Sequence, residues 1–362
     1  MNKEINLKVN FITFYKFYVT VIDMGRSTFR KVITSPERIE QINPKNKKLM
    51  SRFLKDKNIV CSDKTILNYK SDLNIFFVWN LLENDNKFFV DIKKIEFSDF
   101  FAYCVDELKW SSKRFSRMKS CLSSLSDFIE RIYDEEYPQF RNVILKSIQN
   151  MPNAPRRKKL VLTEKQVNDL LNYLENDLHN PQEACLLALA VASGCRKSEL
   201  LRIDINLIDE NETAFEGLFL VTKDKIKTKG HGKDGYMLEK YIIKDIFLPY
   251  YKKWLPERKR IMEENGVKEH NKMFIRKDGQ PAKVSTINGW IEKWSKFLGV
   301  DFYMHSLRHY TCTYLSKIGL EQELIVAIYG WKSSDMYNIY NDMEAKDKKW
   351  KGLDKLKEHL KK

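Results

Sequence analysis

Between residues 43 and 79 apolar side chains return every three or four positions, the mark of helices that bury one face. Leu49, Met50, Phe53 and Leu54 form one stripe. Ile66, Tyr69, Leu73, Phe76 and Phe77 form a second, and Ser62 or Asp63 stands where it would cap that helix. The pattern predicts two further helices, around 97–108 and 111–133. The later one opens on Lys113, Arg114, Arg117 and Lys119 and continues with Leu122, Leu125, Phe128 and Ile129, so it would pack one face and offer a basic end to a groove. A small all-helical domain over 41–148 follows. Residues 149–160, QNMPNAPRRKKL, read as a linker, with two prolines and the run Arg156, Arg157, Lys158 and Lys159.

Beyond the linker, Thr163-x-x-Gln166 is a capping-box pattern ahead of Val167, Leu170 and Leu171. A very apolar helix runs from Ala184 to Val191 and ends near Ser193-Gly194. Leu218–Thr222 and Tyr241–Phe247 read as strands, with Gly230, Gly232 and Gly235 in the turn between them. From Thr286 onward the period is helical again. The aromatic-rich stretch Phe11–Tyr18 fits strand and helix equally, which leaves residues 1–40 as an extension of unknown role. No internal repeat is present.

Composition sharpens this picture without naming a reaction. A chain of 362 residues exceeds the usual size of one compact domain, and 43% hydrophobic residues are ample for a core. No apolar run approaches the roughly 18 residues that span a bilayer. The N-terminus lacks the layout of a signal peptide, so a cytoplasmic, DNA-associated location is expected. Six scattered cysteines form no C-x-x-C pair and no Cys/His cluster, so they read as reduced and structural, and no metal or other cofactor is expected. The net charge is +15, and it is uneven. Residues 1–160 carry 30 basic and 19 acidic side chains, a net +11; residues 161–362 carry 34 and 30, a net +4. Such a field attracts polyanions, nucleic acid first, because neutralised phosphates release their counterions. No acylation motif or long basic amphipathic segment supports a membrane instead. A solvated basic face is the bland alternative.

Three constellations bear chemistry. In Ser193-Gly194-Cys195-Arg196-Lys197-Ser198-Glu199-Leu200, Arg196 follows a glycine between two helices, where its fork can meet a phosphate, and Glu199 lies three residues on, placed to hold it. In His305-Ser306-Leu307-Arg308-His309, a spacing of three puts His305 and Arg308 on one helix face, a charge clamp beside a proton carrier. The third is Gly330-Trp331 followed by Tyr337 and Tyr340. Taken singly, each is as readily a structural pair or a packed aromatic.

Their order and spacing together resemble the tyrosine recombinase (phage integrase) family. The family pattern is an arginine in an SG-x-R-x-S-E-L segment, a lysine on a β-hairpin, an H-x-L-R-H box, a G-H/W dipeptide and a tyrosine soon after. Here Arg308 and Tyr340 stand 32 residues apart, and Trp331 lies nine before Tyr340. The resemblance covers 161–345 and extends to the helical domain before it. Trp331 stands where many members have histidine. The hairpin lysine has several candidates in KIKTKGHGK: Lys229 first, Lys227 close behind, then Lys225 and Lys233. Tyr337 competes with Tyr340, and the spacing from Trp331 favours Tyr340.

The resemblance implies a mainly α fold with a small antiparallel β-sheet: a helical core-binding domain and an α+β catalytic domain forming a C-shaped clamp on double-stranded DNA. It implies attack by Tyr340 on a DNA phosphate to give a 3′-phosphotyrosyl link, charge held by Arg196 and Arg308, protonation of the leaving oxygen by the hairpin lysine, and proton transfer at the nucleophile by His305. His309 and Trp331 would position the phosphate. Four protomers on two sites, a Holliday junction, and a DNA-bending or directionality factor as possible partner belong to the same implication. The tail 346–362, with Trp350, Leu353, Leu356 and Leu360, would pack on a neighbouring protomer or in cis. A type IB topoisomerase-like enzyme and a catalytically silent DNA-binding protein are the alternatives.

Overall fold

The computed structural model describes residues 31–152, 160–230 and 235–341. They form two compact units, each around its own apolar core. Residues 31–152 are helical: α1 (Pro36–Gln41), α2 (Pro44–Val60), α3 (Asp63–Glu83), α4 (Lys94–Asp106), α5 (Ser112–Ile132) and the single turn α6 (Ile144–Ser147). Ser35, Asn43, Ser62 and Ser111 start four of these helices, each side chain accepting a backbone N–H of the first turn. Ser62, rather than Asp63, is the cap of α3. The core centres on Phe76, whose ring lies 4.9–5.7 Å from those of Phe77, Phe89, Phe97 and Phe100. Asn46, buried on α2, donates to the Lys87 carbonyl and accepts from the Phe89 N–H, at 2.8 and 2.9 Å. It thereby ties down the loop between α3 and α4 with both of these polar atoms paired.

The basic start of α5 is largely consumed inside this unit. Asp72, 1% exposed on α3, takes Arg114 at 2.7 Å and both Nε and Nη2 of Arg117 at 3.0 and 2.8 Å. Lys119, 7% exposed, donates to the Ile148 carbonyl at 2.5 Å and to Asn150 Oδ1 at 3.0 Å. Charges buried as far as Asp72 and Lys119 persist only when paired, so these contacts hold α5 to α3 and to the segment after α6. Lys119 is thus spent inside the unit, whereas Arg117 keeps half of its side-chain surface exposed beside Asp72. Lys113 is exposed. Arg156, Arg157, Lys158 and Lys159 lie outside the described residues, as do Phe11–Tyr18 and the tail 346–362.

The second unit opens on α7 (Glu164–Asn172), started by the expected Thr163–Gln166 capping box, and continues through α8 (Pro181–Ser193) and the short α9 (Lys197–Leu200). Every residue of α8 from Glu183 to Ser193 is buried, because helices cover it on several sides: α10 (Lys244–Glu264) and α12 (Met304–Lys317) both pack on it. Around these lie α11 (Val284–Leu298), α13 (Gln322–Tyr329) and α14 (Asp335–Tyr340). The strand-rich stretch makes two small antiparallel sheets. One is β1 (Thr213–Ala214), β2 (Phe219–Val221) and β5 (Tyr241–Ile243), with Leu220 opposite Ile242. The other is a separate hairpin of β3 (Ile226–Thr228) and β4 (Tyr236–Leu238), with Lys227 opposite Met237.

The expected strand Tyr241–Phe247 stops at Ile243, and Phe247 belongs to α10. The buried positions Phe247, Tyr251, Trp254, Arg258 and Met262 recur at helical spacing, and their burial outweighs two prolines, Pro249 and Pro256, inside the helix. No described helix is long and apolar enough to cross a membrane.

Candidate active site

Three stretches distant in sequence converge at one end of α8. Gly194 terminates that helix in the left-handed region, at φ +56°. Arg196 then caps α9, and Glu199 reaches back to it: Oε2 accepts the Arg196 backbone N–H at 3.1 Å, and Oε1 accepts Nη1 at 2.8 Å. The pairing expected between these two residues is the one observed. Lys240, 5% exposed, stands 3.7 Å from Oε2 on the other side. Burial pushes the Glu199 carboxyl up, but Lys240 and Arg196 outweigh it and hold the group below the ordinary glutamate value. Glu199 is therefore a buried anion that fixes Arg196, whose side chain keeps 26% of its surface exposed.

Helix α12 supplies His305, Arg308 and His309 from its first two turns. Arg308 is 2% exposed. Its Nη1 donates to the Gly194 carbonyl at 2.6 Å, whereas Nε and Nη2 are buried without a hydrogen-bond partner. Its guanidinium carbon lies 4.5 Å from the Tyr329 ring and 5.1 Å from both the Trp331 and Tyr340 rings. Aromatic faces thus carry the cation, and its edge presents two donors that a protein interior normally satisfies.

Tyr340 ends α14 and is 5% exposed. Its hydroxyl lies 2.7 Å from His305 Nε2, and its ring stacks on Trp331 at 5.2 Å and 13°. His309 packs against the same ring at 4.7 Å. Burial, then Arg308, His309 and Arg196, push the His305 imidazole down to about 4. It is accordingly neutral near neutrality, and with Nδ1 carrying the proton, Nε2 accepts the Tyr340 O–H. The Trp331 Nε1–H is buried without a partner beside these groups.

The structure separates the two tyrosines. Tyr337 has its hydroxyl 2.7 Å from Ser316 Oγ and accepts from Asn341 Nδ2 at 2.6 Å, and Thr313 Oγ1 donates to the Tyr340 carbonyl at 3.4 Å. These bonds moor α14 to α12 and leave Tyr340 as the tyrosine facing histidine and arginine. The hairpin candidates sit on the β3–β4 unit, Lys227 within β3 and Lys229 just past it, both exposed. That hairpin is anchored beside the site. Arg202 Nη1 donates to the Lys227 carbonyl at 2.8 Å, Lys332 Nζ stands 4.0 Å over the Tyr236 ring, and a Cβ on Gly330 would lie 2.6 Å from Leu238. Lys225 lies just before β3, and Lys233 is outside the described residues. Two site residues escape a sequence reading: Lys240, a lysine in a strand-rich stretch with nothing to mark it as buried, and Tyr329, one aromatic among many.

Residues 160–347 match the model of the Phage integrase family. The chain belongs to that family. It is a tyrosine recombinase, an enzyme of site-specific DNA recombination. Among relatives, Tyrosine recombinase XerC of Thermodesulfovibrio yellowstonii is 26% identical over 291 residues, 79% of this chain and 87% of the relative. Among solved structures, the Tn1549 transposon integrase in complex with circular intermediate DNA gives a TM-score of 0.64 at 16% identity, covering 84% of this chain and 98% of that one. A lambda integrase dimer bound to a COC′ core site gives 0.60 at 16%, covering 82% and 95%. The fold is thus the phage integrase fold, mainly helical with small antiparallel sheets, as the sequence motifs implied.

Proposed function

We propose that Tyr340 is the nucleophile, and that the enzyme integrates or excises a mobile element by cutting and rejoining double-stranded DNA at two sites. The observation that carries this reading is the 2.7 Å contact of Tyr340 with a neutral His305 beside the two unpartnered donors of Arg308. Tyr340 Oη attacks a phosphorus atom in line with the bond to O5′ and gives up its proton to His305 Nε2. The new O–P bond forms as the P–O5′ bond breaks, leaving a 3′-phosphotyrosyl link, and Lys229 protonates the departing 5′-oxygen. Arg196 and the free edge of Arg308 take the charge that develops on the nonbridging oxygens. Trp331 adds its indole N–H, and His309 backs the tyrosine ring.

One phosphodiester replaces another, so the link stores the energy needed for rejoining. Attack by the 5′-hydroxyl of a partner strand reverses each proton transfer and passes the strands through a Holliday junction. The reading includes four protomers on two sites, both units bound to the duplex, and an accessory DNA-bending or directionality factor. Excess positive charge in residues 1–160 supports a non-specific grip on DNA. Two duplexes bearing the element's end sequences, incubated with the protein, are expected to yield joined products whose sequenced junctions fall at fixed positions. Supercoil relaxation without joining would instead make the protein a topoisomerase-like enzyme.

The low affinity of His305 for a proton sets the pH profile. The base must be unprotonated, and burial holds it so down to about 4. The second-order rate constant for adduct formation, which reports the free enzyme, is therefore expected to stay level as pH falls from neutrality to about 5 and to drop below that. A midpoint near the ordinary histidine value would contradict the lowered proton affinity of His305, and a level rate well below pH 4 would remove His305 from this role.

A further inference from the structure

We infer that Tyr329 is a positioning residue for DNA cleavage and acts through Arg308. It is the last residue of α13 and is 5% exposed. Its ring is the nearest of the three around the Arg308 guanidinium, 4.5 Å from Cζ against 5.1 Å for the other two. It also packs on the Trp331 ring at 4.4 Å, inclined by 30°. Its hydroxyl occupies the space above Gly194: a Cβ built on that glycine would lie 2.3 Å from the oxygen. Gly194 is the residue whose carbonyl receives Arg308 Nη1. One side chain thus touches the guanidinium face, the indole beside it, and the residue that takes its only hydrogen bond among the described contacts.

The physical reason for such a side chain lies in what Arg308 must leave free. A guanidinium that keeps two edge donors for a phosphate cannot be fixed by carboxylates along that edge, since they would repel the anion and occupy the donors. It can be fixed by its face, where an aromatic quadrupole attracts the cation without using an N–H. Tyr340 and Trp331 also offer faces, but in the proposed reaction Tyr340 must move to bond with phosphorus and the unpartnered Trp331 indole N–H is kept for the phosphate. Tyr329 is the ring free to hold the cation throughout. Gly194 follows from the same contact: its positive φ and the tyrosine hydroxyl together exclude any Cβ there.

This inference rests on the reading of Arg308 as a phosphate clamp, and the experiment separates the two. Single-turnover adduct formation is measured for the full-length protein and its Tyr329→Leu, Tyr329→Phe and Arg308→Ala variants. One duplex carries an ordinary scissile phosphate, and the other a methylphosphonate, which has no negative oxygen for Arg308 to hold. On phosphate, Tyr329→Leu is expected to slow cleavage roughly five- to thirtyfold, the range of a desolvated cation–π contact, with Tyr329→Phe within about threefold of the parent. The dissociation constant for DNA is expected to change by less than about twofold in either variant. On methylphosphonate, the losses from Tyr329→Leu and Arg308→Ala both shrink, to less than about twofold for the former. An equal loss for Tyr329→Leu on the two substrates, with Arg308→Ala relieved, would show that Tyr329 only packs, and would overturn the inference alone. Arg308→Ala left unrelieved would overturn the clamp and the inference with it.

Discussion

Tyr340→Phe is expected to abolish covalent capture of a nicked duplex while DNA affinity stays within about twofold of the parent protein. The substitution removes one oxygen and keeps the ring that stacks on Trp331 at 5.2 Å and packs against His309 at 4.7 Å. The site therefore keeps its packing and loses only its nucleophile. No neighbouring hydroxyl substitutes, because the Tyr337 hydroxyl is held at 2.7 Å from Ser316 and 2.6 Å from Asn341, at the opposite end of α12 from His305. With the attacking atom gone, the rate is expected to fall by at least about 10⁴-fold, below detection in a denaturing-gel adduct assay. Undiminished adduct in this variant would move the nucleophile to Tyr337.

Arg308→Ala is expected to slow cleavage by about 10³-fold, the usual cost of losing a buried donor to a developing anion. DNA binding is expected to weaken by less than about tenfold, since exposed cations elsewhere carry the sequence-independent grip. Two quantities separate this arginine from a structural one. It is 2% exposed, yet Nε and Nη2 have no hydrogen-bond partner. A cation placed only to stabilise the fold would have those donors paired, because leaving them buried and empty costs free energy. Arg308→Lys is expected to recover little, within about tenfold of the alanine variant, because an ammonium cannot both reach the Gly194 carbonyl and present a planar fork. Full activity in the lysine variant would reduce the role of Arg308 to charge alone.

Much of this site was legible from spacing. His305 and Arg308 are three residues apart on one helix, and the Arg196–Glu199 pair obeys the same period, so local geometry alone brings those groups together. The convergence of all three stretches was legible only through the ordered motifs, since nothing local places Tyr340 against a histidine 35 residues earlier. Helices α2 to α5 follow the apolar stripes closely, with caps at Ser62 and Ser111, whereas α1 and α6 are too short to show a period. Helix α10 was hidden, because Pro249 and Pro256 read as breakers while the buried row from Phe247 to Met262 decides the outcome. The hairpin that carries Lys227 and Lys229 was merged with the strands flanking it, because its three-residue strands are too short to show a period. Arg114 and Arg117 looked like a basic end because their partner, Asp72, lies more than forty residues away. Lys119 did carry a signal: it falls in register with Phe115, Met118 and Leu122, on the face that is buried. Tyr329 carried none, since a cation–π contact leaves no mark in sequence.

Locating the covalent bond between protein and DNA tests the role of Tyr340 most directly. The wild-type protein is trapped on a nicked duplex bearing its recombination site, the adduct is digested with protease and nuclease, and the modified peptide is sequenced by mass spectrometry. The result expected is a nucleotide joined through its 3′-phosphate to Tyr340. A nucleotide on Tyr337, a 5′-linkage, or no covalent adduct on its recombination site would contradict the account.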